Sequence, residues 1–221
     1  MKLAGRSAGV SHNVAAMSVD VSSYFGRPVS LAAVVDRVAD VLSALLRLDL
    51  KAVPSVRVSG GWASSEDPWQ ALDRSALENL IVGGPLSRDS DDGDSPAFTI
   101  HIDGLADAAW LMITDHADDD DLRPQIMGNV SPQRTCVGVV LALAVVLGIG
   151  IASDGKLHED WQIPMTDFVE EPVDDPERFI ELTRASSSGS RHDEAFAARC
   201  ERFLRQFPRL GGWPRDVSLP A

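Results

Sequence analysis

From Cys136 to Ala152 the chain reads CVGVVLALAVVLGIGIA, seventeen residues without a single charge. A segment like this must lie in lipid or inside protein, because its apolar surface is too costly to leave in water. Its length touches the lower limit for crossing a bilayer. Against a span, Gly148 and Gly150 interrupt its end, no basic cluster flanks it, and Asp154 follows at once, which is poor anchoring under the positive-inside rule. The expectation is a buried helix feeding a buried strand. Ser131 is the N-cap, Pro132 the first helical residue and Gly148 the stop after Leu147, with residues 149–153 extended. No membrane partner follows from it.

At 221 residues and 44% hydrophobic, the chain is long enough to surround that segment with one core. Leu31, Val34, Val35, Val38, Val41, Leu42, Leu45 and Leu46 recur at helical spacing, with Asp36, Arg37, Asp40 and Arg47 opposite, so residues 30–48 read as an amphipathic helix. Residues 54–60 alternate as a strand, residues 68–81 read as a second helix ending at Gly83-Gly84, and residues 83–96 read as a loop. A short helix starts near Pro176. Phe196, Cys200, Phe203, Leu204 and Phe207 line one side of a final helix whose other positions hold Arg191, Arg199, Arg202 and Arg205.

The fold class is therefore α+β: a single domain with a mainly antiparallel sheet covered by helices and an appended C-terminal helix. Residues 1–16 read as a mobile leader without the apolar block of a secretory signal. Residues 17–185 form the domain, SSSGS at 186–190 a linker, and 191–221 the last helix and a tail.

The clearest local signal is a hairpin pairing 97–103 with 108–115 across a four-residue connection at 104–107. That register gathers Phe98, Ile100, Ile102, Ala109, Leu111 and Ile113 on one apolar face. Thr99, His101, Asp103, Trp110, Met112 and Thr114 take the other, with His101 directly across from Trp110.

Around this hairpin lies a concentration of charge. Between Ser87 and Asp121 there are eleven aspartates and one arginine, ending in Asp118, Asp119, Asp120 and Asp121. The net charge of −13 and pI near 4.7 make the average surface repel phosphate backbones and anionic lipids, so nucleic acid is not an expected partner. Only three of the twenty basic residues are lysine, a skew that suits a GC-rich bacterial genome. Cys136 and Cys200 lack zinc-type spacing and read as buried free thiols, which suits a reducing cytoplasm.

Chemistry can be tested against these placements. His101, Asp103, Asp115 and His116 look like a metal set, but in this register Asp115 stands opposite residue 96, about 15 Å along the ladder from His101. The loop DSDDGDSPAFTI has Gly at the fifth position and Ile at the twelfth, where a calcium loop needs Gly at the sixth and Glu at the twelfth. GIGIAS at 148–153 follows a helix and opens none, so it is no dinucleotide fingerprint. No metal, cofactor or catalytic residue is expected, and there is no GxSxG elbow. His101 is the best-placed functional histidine. Trp161, within HEDWQIP, has the composition of an interface anchor.

The stretch from Ser131 to Arg184, in which SPQRT opens VGVVLALAVVLG, then IGIASDG, a Trp and DPERFIEL, resembles a pattern in small α+β immunity-type proteins encoded near bacterial toxins. The resemblance implies a non-catalytic protein that binds and blocks one cognate toxin. Charge points the same way, since carboxylates can occlude the basic cleft of a nuclease toxin. The expected function is an acidic cytoplasmic binding protein with a basic protein partner, using Asp118, Asp119, Asp120, Asp121, Trp161, His101 and Trp110. A hydrolase with a site drawn from distant residues and a subunit of a larger bacterial assembly are the alternatives.

Overall fold

A computed structural model of the chain describes residues 20–62, 70–86, 95–116, 125–158, 168–169, 172–184, 194–207 and 209. A seven-stranded sheet carries the fold, built from β1 (Val21–Tyr24), β3 (Val56–Trp62), β4 (Gln70–Leu72), β6 (Pro96–Ile102), β7 (Ala108–His116), β8 (Gln125–Pro132) and β9 (Lys156–His158). The spatial order is β4-β3-β6-β7-β8-β1-β9, and each neighbouring pair is antiparallel. A separate ribbon pairs β2 (Val29–Ser30) with β5 (Ile81–Val82).

The helices are α1 (Leu31–Leu46), α2 (Arg74–Asn79), α3 (Cys136–Ser153), α4 (Pro176–Thr183) and α5 (Phe196–Leu204). The charge-free segment is α3, and it is a core helix. It lies on β7, β8 and β1, while α1, α4 and α5 pack on its other sides. Being apolar all round is what this position requires. Val137 through Leu147 are buried without exception. The fold is thus α+β with an antiparallel sheet covered by helices. The C-terminal helix belongs to the same core: Cys200, Phe203, Leu204 and Phe207 are buried, and Phe207 makes edge-to-face contacts with Phe168 and Phe203.

Several sequence expectations shift here. Gly148 does not stop α3, which runs on to Ser153. The glycines are there for close packing instead. A Cβ on Gly148 would sit 3.3 Å from the Val34 carbonyl oxygen of α1, and one on Gly150 would meet Pro176 at 2.9 Å. The helix ends in a left-handed residue, Asp154 (φ 54°), and Arg27 secures that end by donating to the Ala152 carbonyl and to Asp154. A cation there also suits the helix dipole.

Ser131 and Pro132 close β8 rather than open the helix. Thr135 is the N-cap, its hydroxyl accepting from the Gly138 amide at 3.0 Å. The expected helix over 68–81 divides, because Leu72 pairs with Val58 in the sheet and only then does the Asp73 side chain cap a six-residue α2. Arg199, which the spacing sets among the positions away from the apolar side of the last helix, is only 5% exposed. Its Nε donates to the Glu194 carbonyl oxygen at 3.3 Å, and the Glu194 carboxylate lies close by.

The hairpin keeps its faces and changes its register. Trp110 stands opposite Thr99, and His101 opposite Ala108, so His101 and Trp110 are diagonal neighbours rather than direct partners. The turn takes up the difference. Gly104 adopts φ 79°, Leu105 packs against the core, and Asp107 folds inward to accept from the Thr135 hydroxyl. Because the shift is even, Phe98, Ile100, Ile102, Ala109, Leu111 and Ile113 all remain buried.

Candidate partner-binding surface

The helices occupy one side of the sheet. α1, α3, α4 and α5 pack on one another, and α3 meets the face bearing Leu111, Gly128 and Val130. Alternation then sends every second residue to the opposite face. Across it run Arg57, Thr99, His101, Trp110, Met112, Thr114, Asn129, Ser131, Ser22, Tyr24 and His158.

Much of this face is tied together by hydrogen bonds between neighbouring strands. The Ser22 hydroxyl donates to Asn129 Oδ1 at 2.9 Å, Asn129 Nδ2 donates to the Thr114 hydroxyl at 2.8 Å, and Ser131 donates to Asp20. Tyr24 and His158 meet edge to face at 5.1 Å between ring centres. Trp110 and Met112 stand out from this polar lattice, 49% and 40% exposed. Their neighbours across the strands are Thr99 and Ser131, and Ala97 and Asn129. Two large apolar side chains thus rise above short ones.

His101 is half-buried, opposite Arg57 on β3. Burial, and then the nearby Arg57 guanidinium, push its pKa below the ordinary value of 6.5. Arg57 is itself paired with Asp103. His101 therefore enters this surface as a neutral ring.

The topology also places charge. β3 leaves the sheet at Trp62, which pairs with Pro96 at the start of β6; β7 leaves at His116, which pairs with Gln125 at the start of β8. These strand ends lie side by side. From them depart or arrive three segments, 63–69, 87–94 and 117–124, which hold ten carboxylates and two arginines between them. Arg27 and Lys156, at the same end of the sheet, are each already paired with an acid, Asp154 and Asp174. That contact with Lys156 holds the Asp174 carboxyl below its ordinary range.

Asp118, Asp119, Asp120, Asp121 and Trp161 lie outside the described residues, as does the 186–190 linker. Their flanks are informative. The segment carrying Trp161 departs from His158, which pairs with Ser22, whereas the acidic end corresponds to Tyr24 and Lys156. β9 thus ends, at His158, away from the end of the sheet at which β7 ends, at His116.

The four residues His101, Asp103, Asp115 and His116 lie even further from convergence than the expected register implies. With Ala108 opposite His101, Asp115 is seven residues further along, about 23 Å away. Among the described residues, no three His, Cys, Asp or Glu side chains group as metal ligands. As for a nucleophile, Ser22 faces His158 across β1 and β9, yet its exposure is 0%, so no substrate can reach it. Burial pushes the Cys136 and Cys200 thiols up, Cys200 strongly. Both are held as thiols rather than reactive thiolates. What the described part of this surface shows is a half-exposed tryptophan and methionine on the sheet face away from the helices, at one end of which adjacent strand ends adjoin the acidic segments of the sequence. No protein family, curated protein or solved structure matches this chain.

Proposed function

We propose that this chain is an acidic protein-binding module that captures a cationic protein partner in the cytoplasm, in the manner of an immunity protein acting on its toxin. The observation carrying this reading is that the strand ends adjoining segments 63–69, 87–94 and 117–124, at Trp62, Pro96, His116 and Gln125, lie side by side at one end of the sheet. Ten carboxylates against two arginines give those segments a net charge of −8, out of −13 for the whole chain. Charge concentrated in this way focuses the field, accelerates encounter with a basic surface and repels acidic competitors.

The test pairs the purified chain with the basic product of the gene beside its own. Association should slow steeply between about 50 and 500 mM salt, as the screening length falls from roughly 14 Å toward 4 Å. Replacing Asp118, Asp119, Asp120 and Asp121 together with Asn should slow association and leave dissociation nearly unchanged. Co-expression should rescue growth of cells making that product. An association rate indifferent to both salt and the fourfold replacement would refute electrostatic capture, and absence of rescue would refute the immunity role.

A further inference from the structure

We draw no further inference here: the strongest candidate, the buried thiol pair of Cys136 on α3 and Cys200 on α5, two helices packed on each other, carries nothing, because only the upward push that Cys136 adds to the Cys200 thiol pKa ties the two sulfurs together.

Discussion

The hydroxyl of Thr135 donates to the buried carboxylate of Asp107 while accepting from the Gly138 amide. One side chain thus caps the central helix and fixes the turn between β6 and β7. Thr135→Ala should cost about 2 to 4 kcal/mol, combining a lost N-cap with a lost donor to a buried carboxylate. Thr135→Ser keeps the hydroxyl and should stay near the parent. Urea unfolding at unchanged slope is the measurement, and a shift no larger than that of an exposed alanine replacement would show that the two roles are not coupled.

α3 has a sheet on one side and helices on the others, so its centre tolerates neither a void nor a charge. Leu143, with no exposure, should lose about 2 to 5 kcal/mol as Leu143→Ala. As Leu143→Asp it should unfold the protein, because an unpaired buried carboxylate consumes much of a total stability of about 5 to 15 kcal/mol. Circular dichroism and denaturant titration check both. Partition of the parent chain into membranes that resists carbonate extraction would mean that α3 faces lipid instead.

Gly138 is a second test of that packing. Alanine is the better helix former by about 1 kcal/mol, but a Cβ here would lie 2.3 Å from the Gln133 carbonyl oxygen, a backbone atom that cannot swing away. Gly138→Ala should therefore destabilise by roughly 1 to 3 kcal/mol. Gly104→Ala meets nothing within 4 Å and pays only for its φ of 79°, about 1 to 2 kcal/mol. A gain in thermal midpoint for Gly138→Ala would contradict the close approach of Gln133.

The burial of His101 has a pH consequence with a definite sign. Its folded pKa is lowered from 6.5, so above that value the ring is neutral folded and unfolded and contributes no pH dependence. As pH falls below 6.5, the unfolded chain takes up a proton that the folded one resists, and stability declines until the folded pKa is passed. His101→Gln should flatten this part of the curve. The check is the difference between parent and variant unfolding free energies from neutral pH downward; a difference that does not change across this range would remove His101 as its source.

Much of the architecture was legible because periodicity reports burial directly. The helical stripe on α1, the alternation in β6 and β7, and the proline at the start of α4 each state a local geometry. The fully apolar α3 could be recognised as a helix surrounded by protein. Its exact ends could not be read, since the glycines that look like terminators are sites of contact with α1 and α4, elements more than a hundred residues upstream or some twenty-five downstream. Nor could the hairpin register, which depends on Asp107 turning inward to meet Thr135, a residue of a different element.

The same division runs through the candidate surface. Sequence by itself determined that the chain is acidic, that β7 carries Trp110 and Met112 on one face, and that His101 shares it, because composition and alternation are local properties. Only the tertiary structure decided that the strand ends adjoining three acidic segments, the first of them in no way conspicuous in sequence, are neighbours, and that β9 ends away from them. It also decided that Ser22 and both cysteines are sealed from substrate. Antiparallel pairing sets which ends meet, and that pairing is fixed by the burial of Leu111 and Val130 against α3, a long-range free-energy balance that no single segment contains.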